Sequence, residues 1–314
     1  MPDIGSMLSG AFAQLRERPV AVAVWAAIQM LVSGGFSLAF SLILLRWLDP
    51  ARLASTEADP FRIWASFLSP TFLGLAGVAY VITILVMLVL TTAAMRATLR
   101  PADTQLAYLR IGMDEVRVVV VNIAVMLALL MVFMIWAAGL FMMFRDTILA
   151  AFRFDGPDMS DTLDATSVAG LVSVSIVTGL IMFGVMIYIS VRTSLIAPVT
   201  MIRRRLAFAE GWAAARGRFW TLFLAYLVLY LIFWVVSMVA GSILAAVGLS
   251  GAVSGLEILT QGQGANPGIT AFMVANSALS GALNALWIAL FCGAAATAAR
   301  AVIPDGAGIA SEFA

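Results

Sequence analysis

The sequence predicts an all-α integral membrane protein with six transmembrane helices. Hydrophobic residues make up 63% of its 314 residues and charged residues 11%, whereas soluble domains are about half apolar and about a quarter charged. A water-soluble fold of this length cannot bury so much apolar surface, so the bilayer must be the solvent for most of the chain. The apolar runs are long and continuous, which favours helices, because open strands leave backbone groups unpaired in lipid and barrel strands are short and alternating.

Six apolar runs are long enough to cross a bilayer, which takes about twenty residues. They cover approximately residues 20–45, 72–95, 116–144, 168–189, 219–247 and 269–297. The first run is too long for the core of a signal peptide, and no small-residue cleavage site closes it. We therefore expect it to remain in place as the first span.

Arginine placement indicates how the chain threads the membrane, since every basic residue is an arginine. Thirteen arginines fall on one predicted side: 16, 18, 96, 100, 110, 117, 192, 203, 204, 205, 216, 218 and 300. Only five fall on the other: 46, 52, 62, 145 and 153. The richer side is cytoplasmic by the positive-inside rule, which places both termini in the cytoplasm.

A repeat of about one hundred residues divides the chain into three units, roughly 1–101, 102–198 and 199–304, followed by a tail at 305–314. Each unit is expected to hold an amphipathic interfacial helix and a transmembrane hairpin that leaves the membrane through arginine and then proline. The alternative is the chance regularity of any six-span protein. The apolar positions of the three amphipathic segments are Leu8, Phe12 and Leu15; Leu106, Leu109, Met113 and Val116; and Phe208, Trp212, Ala215 and Phe219.

The basic connector between the fourth and fifth spans carries a family resemblance. Its residues Arg192, Pro198, Glu210 and Trp212 and its ARGRFW end at 215–220, together with Arg18–Pro19, resemble a bacterial family of six-span inner-membrane proteins. That family is related to the membrane domain found beside some glycerophosphodiester phosphodiesterases. The resemblance implies the inner membrane. It does not carry over the phosphodiesterase activity, because that soluble domain uses histidine around a metal and this chain has no histidine.

The connector also holds the candidate binding residues. Arginine near the cytoplasmic leaflet attracts anionic headgroups and tryptophan prefers the interface, so the pattern fits a phospholipid headgroup site or ordinary positive-inside anchoring. The candidates are Arg192, Arg203, Arg204, Arg205, Arg216, Arg218, Trp212 and Trp220. Near the inner end of the fourth span, Arg192 is expected either to extend its charge to the surface, or to pair with Glu210 or a helix-end carbonyl.

The sixth span carries a ladder of small residues and a polar stripe beside it. Small residues let helix backbones approach closely in lipid, and the stripe is expected to face the bundle, as interhelical hydrogen bonds or as a permeation path. The first span carries a similar polar stripe, formed by Ser33, Ser37 and Ser41. The ladder is Ser277, Gly281, Ala285, Ala289, Gly293 and Thr297, and the stripe is Asn276, Ser280 and Asn284.

Several kinds of chemistry are excluded or disfavoured. Without histidine there is no histidine base, nucleophile relay or metal ligand, and a lone Cys292 forms neither an intrachain disulfide nor a thiolate cluster. The acids at 155, 158, 161 and 164 do not have calcium-loop spacing and fit a solvated outer loop that caps the fourth helix. The glycines at 248–264 lack a phosphate-loop lysine and fit an outer loop with a short re-entrant or surface helix. We expect no cofactor, no metal and no nucleic-acid partner.

Three functions therefore compete. The first is a non-catalytic membrane protein that binds lipid, anionic phospholipid above all, or scaffolds a membrane partner, and it needs an arginine-lined groove. The second is a transporter or channel, which needs a polar cavity lined by Asn276, Asn284 and the serines of the first span, although no acid lies clearly within a span. The third is a membrane enzyme, which would set acids such as Asp114 and Glu115 beside Arg216.

The threading is tested by cysteine labelling in a Cys292→Ala background. Ala213→Cys in the connector should react with a membrane-impermeant maleimide only after the membrane is permeabilised, whereas Ser160→Cys in the predicted outer loop should react in intact cells. Reaction of the connector cysteine from the outside of intact cells would contradict the orientation.

Overall fold

The computed structural model describes residues 3–47, 69–102, 105–109, 112–145, 165–260 and 267–303, and these residues contain helices and no strand. Three of the long helices begin with proline, at Pro19, Pro70 and Pro267, where the missing amide hydrogen costs nothing. The helices are α1 (Ile4–Glu17), α2 (Pro19–Trp47), α3 (Pro70–Leu99), a 3-10 turn (Gln105–Tyr108), α4 (Met113–Met143), α5 (Ala165–Thr193), α6 (Ile196–Arg203), α7 (Phe208–Ala214), α8 (Phe219–Thr260) and α9 (Pro267–Val302).

Six helical segments are long and apolar enough to cross a membrane, so the chain is a multi-pass membrane protein. They are Pro19–Phe40, Phe72–Leu99, Met113–Met143, Val172–Arg203, Phe219–Ala246 and Ala271–Val302. Residues 248–260, expected as part of an outer loop with a short re-entrant or surface helix, are helical and continue α8 without a break.

The helices form two compact units. Unit 1 consists of Met1–Glu115 and Phe223–Ala314, and unit 2 of Val116–Leu222. The three-unit repeat stays a prediction, and its three amphipathic segments differ in structure. The first is a full helix, α1; the second is a 3-10 turn that ends before α4 begins, so a single amphipathic helix there is wrong; the third is the two-turn helix α7.

Helix α1 buries a different face from the one its large apolar residues mark. Met7, Ala11 and Gln14 are buried, whereas Phe12 is 40% exposed. The small Ala11 on this face lets α1 lie close to the backbone of α9 at Gly293, and Phe12 stays on the outside. At its start, Asp3 accepts a hydrogen bond from the Ser6 amide, and the hydrogen bonds from Ser6 lower the pKa of the Asp3 carboxyl.

Helix α9 is the centre of unit 1. In the membrane-spanning part of α9, 61% of residues are buried, whereas the corresponding share is 6% to 22% in the other five spans. A Cβ added at Gly281 would lie 2.5 Å from the Gln29 carbonyl oxygen of α2, and one added at Gly293 would lie 3.1 Å from Ala11 Cα of α1. On its other side, aromatic rings fill the space toward α8, including Tyr226 stacked on Phe291 at 4.6 Å. Side-chain size thus sets how closely each neighbour approaches α9.

The carboxyl end of α3 is held by side chains from two other helices. The last carbonyls of a helix have no partner within it and carry partial negative charge. Arg18 donates to the Ala97 carbonyl, and Arg300 donates to the Leu99 carbonyl at 2.5 Å. Buried Gln14 donates to the Ala94 carbonyl at 2.6 Å. Arg18 and Arg300, whose positions in the sequence predict the orientation in the membrane, therefore also join α1, α3 and α9 into one polar layer.

The same layer contains a buried ion pair between Arg96 and Glu115. Arg96 also donates to the Tyr108 carbonyl at 3.2 Å. Tyr108 follows Ala107 in left-handed backbone conformation, with φ of 66° and 54°, which bulky residues adopt only when their surroundings hold them there. Here Trp25 donates to the Ala107 carbonyl at 3.0 Å, so the turn is fixed from both sides.

Adding a methyl group to the α2–α9 contact should destabilise unit 1. Gly281→Ala should cost about 1–3 kcal/mol, because a Cβ there meets backbone that cannot move aside. Gly77→Ala on α3 is the matched control, since a Cβ there meets nothing within 4 Å, and it should leave stability unchanged or raise it by up to about 1 kcal/mol. Thermal unfolding of the purified protein in one detergent measures both, and equal midpoints for the two variants would contradict this packing.

Breaking the buried ion pair should cost more than breaking its exposed neighbour. Glu115→Ala leaves Arg96 buried without its carboxylate and should destabilise by about 3–5 kcal/mol. Asp114→Ala removes the Arg100–Asp114 pair, 2.6 Å apart, whose side chains are 27% and 17% exposed, and should cost less because water reaches both groups. The same thermal assay ranks them, and the reverse order would rule out this assignment of the buried charge.

Candidate functional site

Unit 2 positions the predicted connector residues through one close contact between short helices. Helix α6 follows α5 almost directly, and residues 196–201 are all buried. At Gly211 of α7, an added Cβ would lie 2.5 Å from Ile196 Cα, so only glycine lets α7 lie on the start of α6. This contact brings the next residue, Trp212, over the end of α5. The first third of the connector is therefore packed helix and not a solvated loop.

Arg192 is held between two aromatic rings at the end of α5. Its guanidinium carbon lies 4.8 Å from the centre of the Trp212 ring and 5.9 Å from that of Tyr188, within the range of cation–π attraction. Its Nε is buried without a hydrogen-bond partner among the described residues. We name Arg192, Tyr188 and Trp212 the arginine clamp. It holds a cation in a fixed place, and no carboxylate among the described residues pairs with that cation.

Of the alternatives for Arg192, the pairing with Glu210 is wrong. The Glu210 carboxylate instead pairs with Arg203, at 3.3 Å, and with Arg205. Arg203 is the last residue of α6 and Arg205 follows shortly after it. The left-handed conformation of Arg204, φ 52°, turns the chain back so that both arginines meet the first turn of α7. These groups are 37% to 69% exposed, so each pair contributes little to stability, but the carboxylate neutralises part of the local positive charge.

The other predicted connector residues lie around this arrangement. Arg204 and Arg216 are exposed, and Arg218 donates to the Ala214 carbonyl at 3.1 Å, satisfying the end of α7. Trp220 is 69% exposed and contacts Phe219, whose ring lies 5.5 Å from that of Tyr188. A continuous set of aromatic rings thus leads from the clamp to an exposed tryptophan, the residue type that favours the membrane interface.

Unit 1 contains a cavity of about 710 Å³ between α2, α3 and α9. One wall is polar and comes from α2 and α9; the other is mostly apolar and comes from α3. The polar wall holds Gln29, Ser33, Ser37, Ser277, Ser280 and Asn284, and the apolar wall holds Phe72, Leu75, Ala76, Ala79 and Tyr80. Gln29 is 1% exposed, and its Oε1 has no hydrogen-bond partner among the described residues.

The polar stripe of the sixth span faces the bundle only in part. Asn284 and Ser280 line the cavity, but Asn276 does not, and both Asn276 and Ser280 are exposed. The Ser280 hydroxyl donates to the Asn276 carbonyl of its own helix at 2.8 Å. The prediction is wrong in the amino-terminal half of α9, because the packed part of this helix lies nearer its carboxyl end. There the ladder residues Gly281, Ala285, Ala289 and Gly293 are buried.

The acids proposed for an enzyme site have structural partners. Asp114 pairs with Arg100 and Glu115 with Arg96, within unit 1. No three metal-ligating side chains lie together in the part of the chain that the structure describes. The acidic run at 155–164, its proposed helix cap, Ser41 and the tail at 305–314 lie outside the described residues or have side chains that are not described.

Sequence reasoning missed Tyr188 and Gln29. Tyr188 lies four residues before Arg192, the helical spacing that places two side chains on one face, so this signal was available. Gln29 lies four residues before Ser33 and extends the serine stripe of the first span by one turn. Its burial depends on Gly281 of a distant helix, which no local pattern reveals.

Comparison of the chain with protein-family models, with curated proteins and with solved structures yields no match in any of the three.

Proposed function

We propose that this chain is a non-catalytic protein of the bacterial inner membrane that binds anionic phospholipid through its connector, residues 192–218. The observation that carries the proposal is the arginine clamp, where the half-buried Arg192 guanidinium lies between Tyr188 and Trp212 with its Nε unpaired among the described residues. A cation away from water is costly unless an anion accompanies it. A phosphate group supplies such an anion.

The chemistry of the clamp favours a phosphodiester. The planar guanidinium stacks on aromatic rings through its faces while its N–H groups, in the same plane, can donate to phosphate oxygens. Exposed Arg204 and Arg216 add charge that attracts an anionic surface, about 1 kcal/mol for each residue near the leaflet. The exposed Trp220 suits the headgroup region, where the rest of a phospholipid would lie.

The arginine distribution supports a cytoplasmic position for the connector and both termini, and with it the anionic cytoplasmic leaflet as the source of the lipid. Scaffolding of a membrane partner is compatible with the same surface. Transport draws support from the unit 1 cavity, whose polar wall includes Asn284, Ser33 and Ser37. A path for a polar solute needs polar groups on both sides, and the α3 wall supplies mainly aliphatic and aromatic ones, so we place transport second.

Opposite changes in connector charge should change lipid affinity in opposite directions. Arg192→Gln should weaken binding of dioctanoyl phosphatidylglycerol about tenfold, and replacing Arg203, Arg204 and Arg205 together by alanine should weaken it by at least about tenfold. Glu210→Gln should strengthen it about fivefold, because Arg203 and Arg205 lose the carboxylate that neutralises them. Tryptophan fluorescence titration of the detergent-purified full chain at low salt measures all three.

The controls separate lipid binding from general charge effects. Arg145→Ala removes an arginine two residues beyond the end of α4 and should leave affinity unchanged. Phosphatidylcholine should bind weakly, and added salt should reduce phosphatidylglycerol binding by screening. Equal affinity of the wild type and Arg192→Gln for phosphatidylglycerol would overturn the headgroup site, and inorganic phosphate binding as tightly as the lipid would identify a free anion as the ligand instead.

A further inference from the structure

The unit 1 cavity is chemically different from the connector. None of the lining residues that the structure describes is charged, although Arg96 near the end of the same α3 helix forms an ion pair with Glu115 of α4. In a low-dielectric site an uncompensated charge is strongly disfavoured. The cavity therefore selects against phosphate, carboxylate and ammonium groups and favours an uncharged ligand.

One polar atom in the wall of the cavity lacks a hydrogen-bond donor among the described residues. The Gln29 side chain is 1% exposed, lines the cavity and has an Oε1 atom with no hydrogen-bond partner among the described residues. A buried amide oxygen is normally paired, and each exception calls for an explanation. A hydroxyl group of the ligand provides the missing donor, and the hydroxyls of Ser33 on α2 and Ser277 on α9 can donate to its remaining oxygens.

The second wall determines the rest of the ligand. Phe72, Leu75 and Tyr80 of α3 face the polar wall across the cavity, and Phe40 packs edge-on against Phe72 at 5.2 Å, extending the apolar lining onto α2. A volume of about 710 Å³ lies in the range of about 300–1,000 Å³ that is typical of small-molecule sites. An apolar chain attached to the hydroxyl-bearing group would cover this wall.

We propose that the cavity between α2, α3 and α9 binds an uncharged, hydroxyl-bearing lipid of the monoacylglycerol class, with a hydroxyl donating to Gln29 Oε1 and the acyl chain against α3. This site does not depend on the connector arginines or on the function proposed for them. Gly281 contributes by holding α9 against the Gln29 backbone, which fixes the depth of the amide in the cavity.

Photo-crosslinking of the detergent-purified full chain tests the site. The probe is 1-oleoylglycerol with a diazirine in its acyl chain, and labelled peptides are identified by mass spectrometry. We expect label in α2, α3 or α9 that excess 1-oleoylglycerol suppresses. Ala79→Phe, which fills the cavity from α3, should reduce the suppressible label about tenfold. Val78→Phe, one position away, 56% exposed and outside the lining, should retain it.

A second variant tests the hydrogen bond itself. In the wild type, 1-oleoylglycerol should compete about fivefold better than methyl oleate, which has no hydroxyl donor, as expected for one hydrogen bond. Gln29→Leu should abolish that preference while leaving the competition by methyl oleate. Label that 1-oleoylglycerol does not suppress, equal label in Ala79→Phe and Val78→Phe, or a preference unchanged in Gln29→Leu would each overturn the proposal.

The two proposed sites can be told apart in the same assay. Replacing Arg203, Arg204 and Arg205 by alanine should leave the 1-oleoylglycerol label at the wild-type level. Dioctanoyl phosphatidylglycerol should compete poorly, since the cavity offers its phosphate no cation. Competition by phosphatidylglycerol as strong as that by 1-oleoylglycerol would overturn the assignment to an uncharged lipid.

Discussion

Unit 1 depends on the close approach of three helices along the small residues of α9. In lipid, burial of apolar surface gives helices little reason to associate, so backbone proximity and interhelical hydrogen bonds must supply the attraction. Because Gly281 and Gly293 have no side chain, α2 can approach α9 closely at Gly281 and α1 can do so at Gly293. The cavity follows from this arrangement, because α2 and α9 are held together at Gln29 while the side chains of α3 form a separate apolar wall. A larger residue in the ladder would change the cavity together with the packing.

Arginine has two physically distinct roles in this chain. Arg18 and Arg300 donate to carbonyls at the end of α3, and Arg96 is buried against a carboxylate, so these residues join helices to one another. Arg192 is partnered by aromatic rings and retains an unpaired Nε among the described residues. A count along the sequence treats all of them alike, because both roles need the same residue near a helix end. Only their three-dimensional partners distinguish an arginine that holds the fold from one available to a ligand.

The sequence predicts features that depend on local composition better than features that depend on contacts between residues far apart in the chain. The six spans are confirmed because each is decided by its own composition. The buried face of α1 could not be predicted, because Met7 and Ala11 are buried by contact with a helix almost three hundred residues away, which no local periodicity reveals. The alternative that paired Arg192 with Glu210 was wrong because Arg203 and Arg205 lie nearer to Glu210 along the chain and pair with this one acid of the connector. Gly211, which brings Trp212 to Arg192, is indistinguishable in sequence from a flexible glycine.

The charge of a ligand separates the two proposed sites more sharply than its shape does. A phosphodiester placed beside Gln29 would have no cation within the cavity lining, and the loss of its hydration would not be recovered. A neutral glyceride placed beside Arg192 would leave that guanidinium without an anion, so the site would discriminate against it in the same way. Both glycerophospholipids and glycerides carry similar acyl chains, so apolar contacts alone would not distinguish them. Selection between the two classes therefore rests on a few buried polar atoms, one amide oxygen in unit 1 and one guanidinium in unit 2.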